Sequence, residues 1–195
     1  AAVWTRTDGV ATPTVHIAIS LDDGQSWPTA VPLAAATVEP DVVSLGGGVW
    51  VVVCRAGGGV GRPQIHATRS DDNGNTWSPL TPISQDEGGA PVFAHGEPVA
   101  AAGPNGTVAA AWLVRQQSVN GAIPTTDPYY ARSADGGLTW SVQAPLASDP
   151  TALQSDGSGM TLASDGAGNW AALWRTTKDF GGPPTSNTNL YTVRS

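Results

Sequence analysis

The pattern Ser-x-Asp-x-Gly-x-Ser/Thr-Trp occurs three times in this chain, and it constrains the fold more than any other feature. The copies are Ser20-Leu-Asp22-Asp-Gly24-Gln-Ser26-Trp27, Ser70-Asp-Asp72-Asn-Gly74-Asn-Thr76-Trp77 and Ser133-Ala-Asp135-Gly-Gly137-Leu-Thr139-Trp140. A fourth begins at the end, where Tyr191-Thr-Val-Arg194-Ser195 matches Tyr129-Tyr-Ala-Arg132-Ser133. Their serines stand 50, 63 and 62 residues apart. A long period that holds only strand-like segments means one supersecondary unit copied in tandem. Within the octapeptide, Ser and Asp side chains can bond nearby backbone amides and close a tight turn, while Gly takes a backbone angle other residues resist. Thr or Ser then restarts a strand, and Trp pins the turn with a large apolar face.

This octapeptide resembles the Asp-box, or BNR, repeat of the sialidase (neuraminidase) superfamily, and the repeats around it cover nearly the whole chain. The resemblance implies an all-β fold, a β-propeller of four-stranded antiparallel blades. It places the boxes on the hairpin between third and fourth strands, on the face away from the active site. The boxes therefore speak for a propeller and not for a catalyst.

Composition agrees. With 24 Gly and 16 Pro in 195 residues and only 13% charged residues, the chain suits short strands joined by many turns. No segment sustains a helical period. The net charge of −7 argues against nucleic acid, which wants a basic face, and against an anionic membrane surface. The single Cys54 excludes an intrachain disulfide, and no apolar run is long enough to span a bilayer. The sequence starts with neither an initiator Met nor a signal peptide. No cofactor or metal is expected: Asp71-Asp72-Asn73-Gly74 lacks the terminal glutamate of a calcium loop.

Overlaying the repeats divides 1–195 into units of about 1–33, 34–83, 84–146 and 147–195. In the second unit the strands fall near Asp41–Leu45, Val49–Arg55, Gln64–Ser70 and Trp77–Ile83. The third repeats this at Pro98–Ala102, Thr107–Arg115, Tyr129–Ser133 and Trp140–Leu146. The last has Met160–Ser164, Asn169–Arg175 and Leu190–Ser195, and the first has Ala1–Arg6, His16–Ser20, its octapeptide and an outer strand. Three to four units fall short of a full ring, and open sheet edges are avoided. The expectation is a region incomplete at both ends, part of a six-bladed ring completed by the rest of a parent chain or by a second copy.

The overlay puts an arginine at the end of every second strand, Arg6, Arg55, Arg115 and Arg175, and a carboxylate before each inner strand, Glu39 with Asp41, Glu97 and Asp156. Arginine's planar fork recognises carboxylates bidentately, and the resemblance implies an arginine cluster that holds a substrate carboxylate. These four arginines are the candidate substrate-binding residues. The competing reading pairs each arginine with the carboxylate of its own blade. The resemblance also implies a tyrosine nucleophile with a glutamate partner and an aspartate acid/base, with an Arg-Ile-Pro motif that is missing here; Gly61-Arg62-Pro63 sits in a loop. Candidate catalytic residues are Tyr130, Asp127 and Glu97. Tyr129 and Tyr191 share a packing slot with His16 and His66, and His95 beside Glu97 could make an acid/base pair. The longest loops, Gln116–Pro128 and Thr176–Asn189, carry Gln117, Asn120, Lys178, Asp179, Phe180 and Asn187 and suit a sugar.

Two functions follow from the resemblance. One is a sialidase-like glycoside hydrolase acting on terminal acidic sugars of glycans. The alternative is a non-catalytic secreted or surface propeller that binds glycan or glycoprotein. Either implies an extracellular or cell-surface setting.

Overall fold

The computed structural model describes residues 1–7, 12–57, 62–85, 92–116, 125–146, 159–176 and 189–194. These form four consecutive antiparallel sheets. Sheet 1 holds β1 (Ala2–Arg6), β2 (Thr14–Ala18) and β3 (Val31–Ala35). Sheet 2 holds β4 (Thr37–Gly46), β5 (Val49–Ala56), β6 (Gln64–Ser70) and β7 (Thr81–Pro82). Sheet 3 holds β8 (Val92–Ala102), β9 (Val108–Gln116), β10 (Thr125–Ser133) and β11 (Ala144–Pro145). Sheet 4 holds β12 (Thr161–Ser164), β13 (Trp170–Thr176) and β14 (Asn189–Arg194). Each four-stranded sheet keeps its strands in chain order, as a propeller blade does. Among the described residues the only helical element is a 3-10 turn at Pro104–Gly106.

Outer strands are much shorter than the sequence suggests, two residues each in β7 and β11. Pro79, Pro82 and Pro145 lie in or near them, and proline offers no N–H to a ladder. Inner strands run longer, because β4 and β8 continue backwards through register slips between Val38 and Asp41 and between Gly96 and Val99.

The octapeptide turns form as their chemistry predicts. In the second, the Ser70 hydroxyl donates to Asp72 Oδ1 (2.8 Å) and accepts the Gly74 N–H (2.8 Å). Asp72 also accepts the Thr76 N–H (2.9 Å) and the Thr76 hydroxyl (2.6 Å). The first and third copies make the same bonds. Bonding from the Thr76 hydroxyl, its amide and Ser70 pulls the Asp72 carboxyl down to about 2. Asp22, through Ser26 and Ser20, and Asp135, through Thr139 and Ser133, are likewise held at about 2.

Packing between sheets supplies the core. Val43, Val51 and Val53 of sheet 2 meet Trp112, Val114 and Tyr129 of sheet 3. Ala111 and Leu113 of sheet 3 meet Trp174 and Ala172 of sheet 4. Ile17 and Ile19 of sheet 1 meet Val52 of sheet 2, with Trp50 and Trp77 packed on them. The third octapeptide turn also leans on the preceding sheet: Arg69 of sheet 2 donates to the Gly136 carbonyl of sheet 3. Cys54 is buried, and burial pushes its thiol up to about 12, so it is packing and not a nucleophile.

Candidate functional site

In sheet 2 the octapeptide turn sits at the end that holds the β4–β5 turn, where the Asn73 N–H donates to the Gly48 carbonyl (3.0 Å). The start of β4 and the end of β5 lie at the opposite end, and sheet 3 follows the same plan. Inner strands β4, β8 and β12 run side by side in space. This opposite end, the mouth, brings together Arg55 and Arg115 with Glu39 and Glu97.

Two Glu-Pro dipeptides build it, Glu39-Pro40 and Glu97-Pro98. Both glutamates have positive φ, 54° and 52°, and both sit in the register slips of their inner strands. Left-handed backbone at a non-glycine residue costs energy and tends to mark sites that surrounding structure over-determines. Here it turns each carboxylate toward the next sheet. Glu39 Oε1 takes Arg55 Nη2 at 2.7 Å, and its Oε2 accepts the Glu97 N–H at 2.8 Å. Glu97 Oε2 accepts the Gly159 N–H at 2.6 Å, while its Oε1 stands 4.0 Å from Arg115 Nη2. Asp41 Oδ2 likewise accepts the Ala100 N–H (2.8 Å). The inner-strand carboxylates thus clamp sheet 2 to sheet 3 and sheet 3 to the segment that opens sheet 4.

A polar cleft of about 120 Å³ lies between sheets 2 and 3, lined by Glu39, Arg55, His95, Gly96, Glu97, Leu113 and Arg115. The two arginines differ. Arg55 is held by Glu39 and its side chain is 29% exposed; Arg115 is 61% exposed and only loosely opposed by Glu97. His95 is 1% exposed. The arginines do not share one register. Arg55 and Arg175 pair with the residues five before their octapeptide serines, Ile65 and Leu190. Arg115 pairs with Thr126, seven before, and Arg6 with Thr14, six before. Side chains alternate along a strand, so Arg6 faces the other side of its sheet from the rest.

The other candidates are not gathered into this cleft. Asp127 and Tyr130 lie on β10, where an odd spacing sends their side chains to opposite faces. Asp127 is buried, in register with Val114 and, beyond it, His95. Tyr130 packs on the Ala111–Leu113–Trp174 cluster between sheets 3 and 4. Asp156, Gln117, Asn120, Lys178, Asp179, Phe180 and Asn187 lie outside the described residues. Of the residues that form the cleft, Gly96 and Leu113 were not singled out by sequence; the repeated Glu-Pro dipeptide was the available signal. Among the described residues no group of three or more His, Cys, Asp or Glu is placed to hold a metal, and no helix is long and apolar enough to cross a membrane.

No protein-family model and no curated protein sequence matches the chain. Solved structures do. A microbial sialidase, Hz136, aligns over 96% of this chain and 39% of its own, at 20% identity and a TM-score of 0.61. The α-L-arabinofuranosidase Arb93A of Fusarium graminearum aligns over 92% and 56%, at 12% identity and a TM-score of 0.64. NanB sialidase of Streptococcus pneumoniae aligns over 88% and 25%, at 18% identity and a TM-score of 0.53. The chain thus spans between a quarter and rather more than half of these structures. It has the sialidase-like β-propeller fold, and these similar structures are glycoside hydrolases.

Proposed function

We propose that this chain is part of an Asp-box propeller of glycan-active type, whose mouth takes the carboxylate of an acidic sugar on Arg115. One observation carries the reading: Arg115 is an exposed guanidinium on a polar cleft, 4.0 Å from Glu97 and so not closed into a tight pair. Its fork can accept a carboxylate through two parallel bonds. A cleft of about 120 Å³ is small beside the ~300–1,000 Å³ of whole-ligand pockets; it suits a carboxylate and the atoms that bear it. A glycan role also fits the glycosidases that share the fold, although fold alone does not carry function. Arg175 and Arg6 stand outside this cleft and take no part in the reading.

Hydrolysis of terminal acidic sugars is the fuller form of this function, and non-catalytic glycan binding the leaner one. The leaner form is favoured by one observation: Tyr130 and Asp127 occupy opposite faces of β10, and Tyr130 packs between sheets. An extracellular or surface setting follows from the glycan reading, since such sugars are displayed there.

Calorimetric titration with 3′-sialyllactose, lactose and arabinobiose tests the proposal. The expected result is saturable binding of sialyllactose alone, weakened about 10- to 100-fold in Arg115→Ala. That range is the loss of hydrogen bonds to a charged group, about 1.5–3 kcal/mol. Equal binding of lactose, or none of sialyllactose, overturns it. Release of sialic acid during the titration would select the hydrolytic form.

A further inference from the structure

Asparagine followed by glycine is a reactive pair. The glycine amide nitrogen can attack the asparagine side-chain carbonyl carbon, and glycine, with no Cβ, hinders the resulting ring least. The described residues hold two such pairs, Asn73-Gly74 and Asn105-Gly106. They are alike in most respects. Both asparagines are exposed, and both have left-handed backbone, φ 57° and 56°. Asn73 belongs to the second octapeptide, and Asn105 lies in the 3-10 turn that joins β8 to β9.

The difference is in what holds the attacking nitrogen. The Gly74 N–H donates to the Ser70 hydroxyl at 2.8 Å, and the Asn73 N–H donates to the Gly48 carbonyl at 3.0 Å. Ile19 and Trp77 crowd Gly74, and the Asn73 side chain lies against Gly48. The Gly74 nitrogen cannot turn toward the Asn73 side chain without giving up its bond, and its neighbours resist the turn as well. Around Asn105 the restraints fall elsewhere. The Thr107 N–H and hydroxyl both donate to the Pro104 carbonyl, at 3.0 and 2.8 Å, and so close the turn without engaging either reacting group. Among the described residues no side chain accepts the Gly106 N–H. Beyond its chain neighbours, nothing stands within 4 Å of where a Gly106 Cβ would be.

We propose that Asn105 is a site of spontaneous deamidation in the folded protein, and that Ser70 guards Asn73 from the same reaction. The Gly106 nitrogen loses its proton to solvent and bonds to Asn105 Cγ. The Nδ2 group then leaves as ammonia, taking a proton from solvent, and a succinimide ring remains. Water adds to either ring carbonyl and the C–N bond there breaks, which leaves aspartate or isoaspartate. Water is the only co-reactant, and no electrons are exchanged. The product carries a new negative charge at the β8–β9 turn, and its isoaspartate form lengthens the backbone there by one carbon.

Peptide mapping by tandem mass spectrometry, after incubation at mildly alkaline pH, tests this on the folded protein and on the same protein in urea. In the folded protein Asn105 is expected to convert about 10-fold faster than Asn73, the worth of the two bonds that Asn73-Gly74 must give up. In urea the two sites are expected to convert at similar rates, since neither is held. Asn120-Gly121 lies outside the described residues and is scored on its own. Ser70→Ala, with folding checked by circular dichroism, is expected to raise conversion at Asn73 and leave Asn105 unchanged. The urea comparison needs no variant and stands if Ser70→Ala misfolds. An Asn105 that stays intact in the folded protein while the unfolded chain converts, or an Asn73 that converts as fast as Asn105 in the folded protein, would overturn the proposal. A folded Ser70→Ala whose Asn73 is as stable as before would overturn the guarding role.

Discussion

The two ends of the sheets obey different rules. At the octapeptide end, three turns share one set of serine and aspartate bonds, with the aspartate always capping the amide and hydroxyl of the residue four positions on. At the mouth the units diverge. The strand-end arginines pair with residues five, six or seven before their reference serines, and Arg55 is in a tight pair with the glutamate of its own sheet where Arg115 is not. A repeated device serves the scaffold, because every blade needs the same turn. Asymmetry is what the proposed recognition of an acidic sugar requires, and the mouth supplies it. The sequence overlay makes the arginines look equivalent, and their pairing with the third strands undoes that equivalence.

The largest break in this comparison is expected from one glycine at each end. Gly137 has φ +91°, and a Cβ there would lie 2.8 Å from Val51 Cγ2. Gly137→Ala combines backbone strain with overpacking and should cost about 2–4 kcal/mol in urea unfolding. Gly96, at the mouth, would place its Cβ 3.3 Å from Glu39 Oε2, a side-chain atom that can move. Gly96→Ala should therefore cost no more than about 1 kcal/mol. Equal costs would erase the distinction between a rigid end and an adaptable one.

Acid sharpens it next. The folded pKa of Asp22, Asp72 and Asp135 is depressed to about 2 from an ordinary 3.8. Their contribution to stability is complete above pH 3.8 and is lost as pH falls through that value toward 2. Thermal melts over this window should show Tm falling in wild type and falling less steeply in Asp72→Asn, whose Tm is already lower near neutral pH. Parallel curves would mean that the turns do not carry the acid lability.

The smallest stability effects belong to the arginines. Arg55→Ala leaves Glu39 without its 2.7 Å partner and should cost about 1 kcal/mol. Arg115→Ala, exposed and 4.0 Å from its carboxylate, should change stability by no more than about 0.5 kcal/mol while weakening sialyllactose. A stability loss at Arg115 as large as at Arg55, with binding unchanged, would make both arginines structural.

Much of the fold was legible because its signals are local. The octapeptide bonds span two to four residues, so the sequence writes out both donor and acceptor. β6, expected at Gln64–Ser70, occupies those residues, since it is bounded by Pro63 on one side and the turn on the other. The outer strands β7 and β11 shrank to two residues each, with prolines in them that withhold amides. The candidate site was legible only as a set of residue types. That Glu39 would accept the Glu97 amide, 58 positions away, and Glu97 the Gly159 amide, 62 away, has no local signature.

The sequence by itself determined the repeat and the turn chemistry, because these rest on short-range hydrogen bonds and on side-chain alternation, and the propeller was legible through the resemblance of those turns to the Asp-box repeat. Tertiary structure decided which groups meet at the mouth, which tryptophans are covered and which arginine keeps its fork open. Those outcomes depend on register slips at two Glu-Pro dipeptides and on the order in which sheets stack. A single-residue slip reverses the face a side chain presents, so no count of residues along the chain could have supplied them.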